Sequence, residues 1–576
     1  MILPQLLRMQ NLSLRIAKLA IAFCIAWTVS GLHVVHGQNG SATSGLSGLV
    51  GPSGLIDGIR TPLSEGKRLE QENRWQEAIL HYEKSMKKDA RLKDCAERLQ
   101  ICRVHYDVTR RYSDRSFMQT VDSSTPTEAL QVLTEVLAKL DSYYVEQIDF
   151  YKLALHGTAF LEVALTEQDF VGKHLRSGDA ANIEAFRNSI HKAVFGRKIQ
   201  NAEDLKATVA YVANVSSQQI GLQPSAVIYE YIAGAVGLLD PYSALLTPGE
   251  YREVMSQIEG NLIGLGVELW AEGTELRIVD VFRGGPAHQA GMTPNQFVMD
   301  VDGSSVIQIG AKKAADLLKG PEGSTVRLVL RNTDDSMVDV SIVRRKVDVP
   351  SVSIAEMVEP GVGYIRITNF QKTTGNEVSR AMLDLSRNGM RSLIIDLRRN
   401  PGGLLDSAVE LADYFINRGS IVSTKGRNGL ENHNFEAKAP GTWDIPLVVM
   451  IDGDSASASE IFAGAIRDHE RGTIVGQTSY GKGSVQGVFH NDHGNGGLRL
   501  TVSKFFSPKG TPISQRGVVP HVVVDEPEIN MERLDIAALK PSTTDAKRFV
   551  SKNNSKSDPV KDRAVLEARQ KVNFGR

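Results

Sequence analysis

Cysteine and net charge are both scarce in this chain. Three cysteines among 576 residues cannot build a disulfide scaffold. Cys24 falls in an apolar leader. Cys95 and Cys102 are seven apart in a segment with helical periodicity, which at about 1.5 Å rise per residue separates their Cα atoms by about 10 Å, too far for a bridge. Both are expected to be free core thiols. The balance of 66 Lys+Arg against 67 Asp+Glu leaves a formal net charge of −1. That removes the electrostatic reason to expect nucleic-acid binding, whose usual footprint is a strongly basic domain or stripe. Clusters of His, Cys and Glu at ligand spacing are missing too, so neither a metal nor an organic cofactor is expected. Beyond the N-terminus no run is apolar enough to cross a membrane. What is present is a 41% hydrophobic share, in a length that suggests about four units at roughly 150 residues each. A single small binding module is thereby excluded.

The segments differ in pattern. Arg8, Arg15 and Lys18 precede an apolar run from Leu19 to Thr28, with small or aliphatic residues before Gln38. Residues 1–37 therefore read as a signal peptide or, if uncleaved, a membrane anchor. The rest is expected to be extracytoplasmic: periplasmic, secreted, or anchored to the outer face of the inner membrane. Residues 38–60 are a Gly/Ser linker. In 61–115, Gly66, Leu69, Trp75, Ala78, Ile79 and Tyr82 recur at helical spacing. This run resembles one tetratricopeptide-type repeat; standing alone, it is expected to be a helical hairpin, a place for a partner or for self-association. Residues 126–257 read as a helical domain. Residues 258–346 show short alternating runs and one helical piece, Ala311 to Lys319, the pattern of a small β-rich module. From 350 to 525 strand-like and helical runs alternate, as in an α/β layer with a largely parallel sheet, whose site lies beyond the carboxyl ends of the strands. Residues 526–576 lose apolar content and are expected to form a polar, disordered tail.

Two post-strand loops are unusual: Asn400-Pro401-Gly402-Gly403 and Asp452 through Glu460. The second delivers Ser457 to the start of a helix, where Ser457 with Glu460 also fits an ordinary capping box. Downstream, Gly481-Lys482-Gly483 follows a strand-like run. Gly476, Gly481 and Lys482 satisfy a P-loop spacing, but Gly483 stands where a magnesium-binding Ser or Thr is required, and no helix pattern follows. The alternative is a Ser457/Lys482 dyad with the lysine as general base. Its amine must then be brought from about 10.4 to about 7, a shift of roughly 4 kcal/mol that burial can supply. His469, His490 and His493 are nearby in sequence as rival bases, without a triad pattern.

Ser455-Ala456-Ser457-Ala458-Ser459-Glu460-Ile461, followed by Tyr480-Gly481-Lys482-Gly483-Ser484-Val485-Gln486, resembles the carboxyl-terminal processing proteases. Leu239-Asp240-Pro241-Tyr242-Ser243, Asp396-Leu397-Arg398, Pro401-Gly402-Gly403 and Phe506-Ser507-Pro508-Lys509-Gly510 agree in order, so the resemblance spans about residues 126 to 525. It implies Ser457 as nucleophile, Lys482 as base, Gln486 as the residue that orients the lysine, and Asp468 in a supporting role. An oxyanion hole is expected from the backbone N–H of Ala458 with that of Gly402 or Gly403. His521 stands where the family has aspartate. The module at 258–346 resembles a PDZ domain, with Leu262, Ile263, Gly264, Leu265, Gly266 and Val267 as its carboxylate-binding loop and a substrate C-terminus added as a strand. The fold expected is multidomain α+β: a helical N-terminal region, a β-rich PDZ domain and an α/β catalytic core of the ClpP/crotonase-like type. The implied function is a serine endopeptidase acting through an acyl-enzyme on proteins held by their C-termini. A PDZ and repeat scaffold with a vestigial protease fold is the alternative. No nucleic-acid partner is expected, and membrane contact only through the leader.

Overall fold

A computed structural model describes residues 62–89, 91–176, 180–272, 274–438, 443–524 and 558–574. The expected leader and linker lie outside these. The chain divides into two compact units. The first contains the helices up to residue 140, residues 148–248 and the short return 490–498. It opens with the helices Pro62–Gln71, Trp75–Lys88 and Lys93–Ser113, so the expected hairpin has a third member. Leu69, Ala78, Ile79 and Tyr82 bury their side chains with Cys95, Leu99 and Cys102 of the third helix. Gly66 is glycine because a Cβ there would sit 2.1 Å from the Tyr82 ring. Both cysteines are free and buried, and burial pushes the Cys102 thiol up to about 12. The same third helix carries Arg111, which lies fully buried and gives two bonds from one guanidinium nitrogen, Nη2, to the Glu230 carboxylate, at 2.8 and 2.6 Å. The repeat-like helices are thus tied into the helical region that follows, rather than hanging from it. Within that region Phe150–Ala164 and Pro224–Gly237 cross at Gly157 and Gly234, where a Cβ on Gly234 would lie 2.7 Å from the Gly157 Cα. Among the described residues no helix is long and apolar enough to cross a membrane.

In the second unit, a six-stranded sheet runs from the edge strand Val267–Glu272 through Glu275–Val281, Phe297–Val301 and Thr325–Arg331 to Met337–Val343, with Ser304–Ser305 paired to Phe297–Val301. Strict alternation in Thr325–Arg331 puts Val326, Leu328 and Leu330 inward, against Leu276, Ile278 and the helix Ala311–Leu317. Entry and exit strands, Asn261–Gly264 and Arg345–Asp348, pair with each other and close the module off.

The second six-stranded sheet orders Val352–Glu359, Val362–Ile367, Ser392–Asp396, Leu447–Ile451, Thr473–Gly476 and Val522–Val523. Its first pair is antiparallel and the remainder parallel. Strands buried on both faces read as unbroken apolar runs, as Leu393–Ile395 and Leu447–Ile451 do. One face packs on the helices Thr374–Arg387, Leu405–Asp413 and Ala458–Asp468.

The opposite face carries a correction. The expected disordered tail contains the helix Pro559–Phe574, whose Val560, Ala564 and Ala568 are buried against Val362, Tyr364, Ile394, Val448, Met450 and Val475. Its mean composition is polar because only one narrow stripe meets the sheet. Asp558 at its start binds Arg398 at 2.9 and 2.8 Å, and Arg398 also grips Asp396. Burial alone would raise the Asp396 carboxyl; the Arg398 charge and the bonds from Arg398 and Tyr364 outweigh it and hold the group below the usual range.

Gly66→Ala should destabilise the first three helices by about 1–3 kcal/mol, measurable as a lowered urea midpoint for the first unit. A depressed carboxyl contributes stability that is complete above its unfolded value near pH 4 and is lost as pH falls through the lower folded value. Wild-type stability should therefore drop steeply below about pH 4. Asp396→Asn should flatten that acid limb in pH-dependent denaturation of the second unit.

Candidate active site

The strand Leu447–Ile451 runs out into Asp452 through Ala456, and Ser457 caps the helix Ala458–Asp468 with φ +54° and ψ −113°. Such a conformation costs a non-glycine residue about 1–3 kcal/mol and persists only where its surroundings over-determine it. They do here. Ser455 donates its hydroxyl to the Leu397 carbonyl at 2.8 Å, its N–H to Asp452 at 2.9 Å, and accepts the Tyr480 N–H at 3.0 Å. The Asn400 carbonyl accepts both the Ala456 N–H and the Ser459 hydroxyl, each at 3.0 Å.

Glu460 is the centre of this arrangement. Sequence reading gave it only a local capping role, and its carboxylate does accept the Ser457 N–H at 2.8 Å. It also accepts the Ser479 hydroxyl at 2.6 Å, the Gly481 N–H at 2.6 Å and the Lys482 N–H at 2.8 Å. Its side chain is fully buried, and burial pushes the carboxyl above its ordinary range against the pull of those four donors. All four partners donate, so the position calls for an acceptor-only group. One oxygen, Oε2, receives both the Ser457 and the Lys482 N–H. The two backbone nitrogens are thus no more than about 6 Å apart, two hydrogen-bond lengths.

The lysine loop has its own constraint. Gln515 donates its N–H to the Gly481 carbonyl at 2.8 Å, and a Cβ on Gly483 would lie 2.2 Å from the Ser514 nitrogen. The glycines beside Lys482 thus admit a neighbouring backbone rather than simply loosening the chain. No helix follows the lysine; the strand Ser484–His490 does, which removes the P-loop reading.

The glycine loop faces Ser457 directly. A Cβ on Gly402 would lie 2.8 Å from both the Ala458 nitrogen and the Ser457 Cβ. The Gly402 N–H is held by the Asn400 Oδ1 at 2.9 Å, while Asn400 Nδ2 donates to Ile367 at 3.0 Å. Gly403, at φ +140°, bridges to Phe370, whose carbonyl would be 2.0 Å from a Cβ there. Asp452 accepts the Arg399 N–H at 3.0 Å, clamping this loop to the serine loop.

Other expected residues separate. Gln486 donates to the Ser484 hydroxyl at 2.9 Å. Asp468 sits at the far end of the helix Ala458–Asp468, about 16 Å along it from Ser457, and accepts the Lys509 N–H at 3.0 Å. His469, beside it, contacts the Ser420 carbonyl through Nε2 at 2.7 Å. His521 accepts the Ile474 N–H on Nδ1 at 3.0 Å, a contact between neighbouring parallel strands. In the PDZ-like module, Leu262, Ile263 and Gly264 belong to the strand paired with Arg345–Asp348. Only Leu265, Gly266 (φ +74°) and the start of the Val267 strand form a loop, with the Leu265 and Gly266 carbonyls accepting from Ala287 and Phe282. Asn400, Asp452 and the wider role of Glu460 were missed. Their signal in sequence was placement in the two post-strand loops.

Residues 361–524 match the peptidase family S41 and residues 277–332 a PDZ domain. A carboxy-terminal-processing protease of Bartonella bacilliformis is 36% identical over 302 residues, covering 51% of this chain and 69% of that protein. A carboxyl-terminal-processing protease of Synechocystis is 32% identical over 313 residues, covering 53% and 73%. A solved photosystem II D1 C-terminal processing protease aligns with 71% of this chain and 96% of its own at 24% identity and a TM-score of 0.36, too slight a likeness to locate any residue. With a PDZ domain ahead of an S41 peptidase core, and more than a third of its aligned residues shared with a relative it covers by two thirds, the chain belongs to the carboxy-terminal-processing serine proteases.

Proposed function

We propose that this protease cleaves with Ser457 as nucleophile and Lys482 as general base, on proteins whose C-termini the PDZ domain holds. The observation that carries the reading is the shared Glu460 oxygen, which ties the backbone of both residues to one point. Neutral Lys482 takes the Ser457 Oγ proton as Oγ bonds to the scissile carbonyl carbon. The tetrahedral intermediate collapses, the C–N bond breaks, and the lysine returns the proton to the leaving amine. Water deprotonated by the same lysine then hydrolyses the ester and regenerates Ser457. Two N–H groups suit the oxyanion. Ala458 opens a helix, where the first N–H groups have no intrahelical acceptor. Between the two glycines, Gly403 is the better donor, since the Gly402 N–H is engaged by Asn400. Gln486, on the strand that follows the lysine loop, donates to Ser484 at its start and supports the loop from there.

Substrate docking fits the edge strand Val267–Glu272, beside the helix Ala311–Leu317. A C-terminal segment would add there as a strand, its carboxylate at Leu265–Gly266–Val267. Residues 1–37 export the chain or anchor it, so its substrates are extracytoplasmic proteins. Residues 61–115 provide a surface for a partner or for self-association.

Ser457→Ala and Lys482→Ala should each lower kcat on an unstructured protein by on the order of 10³-fold or more, with binding of a C-terminal peptide unchanged in calorimetry. Undiminished cleavage by either variant would sink the dyad. Glu460→Gln places an NH2 where only acceptors fit. A fall in kcat of about 10²-fold at nearly constant KM is expected in steady-state assays.

A further inference from the structure

The helix Pro559–Phe574 lies outside the part of the chain matched to the peptidase family, which ends at residue 524. Its contact with the core is nevertheless specific. Besides the apolar stripe, Lys561 pairs with Glu356 at 3.3 Å and lies over the Tyr364 ring, and Arg569 pairs with Glu359 at 2.9 Å. Asp558 caps the helix by accepting the Lys561 N–H at 2.9 Å. The same carboxylate takes two bonds from Arg398, from Nη1 at 2.9 Å and Nη2 at 2.8 Å.

Arg398 is the second residue after the strand Ser392–Asp396 and begins the turn that leads through Arg399 and Asn400 to Gly402 and Gly403. Its side chain is 10% exposed and is held between Asp396, wholly buried, and Asp558. Planar bidentate pairing of this kind fixes orientation as well as energy. With Asp558 gone, the Nη1 and Nη2 bonds that it accepts would be lost in a nearly dry position, and breaking such a pair is strongly unfavourable. The Asp396 carboxylate that holds the Arg398 side chain also accepts the Arg398 N–H at 2.9 Å, so a shift of the guanidinium reaches the backbone at the start of the loop that faces Ser457.

We propose that Asp558 is a positioning residue for catalysis: docked by its helix, it locks Arg398 and thereby sets the Asn400–Gly403 loop against the nucleophile. The helix is then a working part of the protease core, and its release would slow the enzyme without touching the dyad. This rests on the function proposed above, since it takes the glycine loop to supply an oxyanion donor. A displacement well under 1 Å at such a donor is enough to matter, and a loss of about tenfold in kcat is expected.

The test uses the full-length chain with Asp558→Ala, and Asp558→Glu as the conservative variant. Steady-state cleavage is read with hydrogen exchange at residues 398–404, at a temperature where circular dichroism shows each variant fully folded. Asp558→Ala should lose kcat about tenfold with KM within about twofold, and exchange in the loop should rise, with both partly restored in Asp558→Glu. Full kcat together with unchanged loop exchange in Asp558→Ala would overturn the proposal. So would a kcat loss with no change in loop exchange, which would place the effect elsewhere. Because exchange needs no substrate, it still reads the loop if the wild type fails to cleave; that failure would count against the function and not against the anchoring. If Asp558→Ala does not fold, the full-length chain with Asp558→Asn, which keeps the side chain's size and removes its charge, gives the same readings. A lower kcat with raised loop exchange supports the coupling, and a change in neither overturns it.

Discussion

One buried carboxylate holds the site together. Glu460 gathers donors from both segments that the proposed dyad would bring together, the start of a helix and a loop that arrives 22 residues later. A buried charge is tolerated only when its hydrogen-bonding capacity is met, and here the Ser479 hydroxyl and three backbone N–H groups donate to it. Because three of the four donors are backbone N–H groups, the anion fixes the course of the chain at both segments rather than the rotamer of a side chain.

Around this centre the constraints are mostly steric. The serine sits in a positive-φ conformation that its own side chain disfavours, and three separate loops, at 397–403, 452–456 and 479–482, are laced to one another and to Glu460 around it by hydrogen bonds. Strain at Ser457 is thus carried by contacts that are long-range in sequence, so the site exists only in the folded state. Glycine at 402, 403 and 483 reflects the same crowding: each adjoins another backbone more closely than a Cβ permits.

Much of this was legible beforehand because the relevant signals are local. The unbroken apolar runs marked the doubly covered strands, the alternation in Thr325–Arg331 marked a half-buried one, and the small-residue loop before Ala458 marked a helix N-terminus at a strand end. Glu460 shows where locality ends. Its bond to Ser457 follows from a spacing of three, but its bonds to Ser479, Gly481 and Lys482 are set by how two strands lie in the sheet, and no spacing rule encodes that. The same reason hid Asp558 and Arg398, 160 residues apart. Composition misjudged residues 559–574, since three buried positions on an otherwise charged helix hardly alter an average. The helical pattern around Cys95 and Cys102 was legible, but its packing as a third member on the repeat-like pair was not, for a related cause: Cys95, Leu99 and Cys102 are few among many polar neighbours.

The docked helix also sets an order of manufacture. Arg569 meets Glu359 from 210 residues further along the chain, and on a ribosome the strands of the catalytic sheet emerge long before the helix that covers their second face. Domains fold largely in the order in which they are made. The PDZ domain can therefore be complete while the peptidase sheet still waits for its cover. A peptidase core covered by that helix is completed only once the helix has followed its strands out of the ribosome.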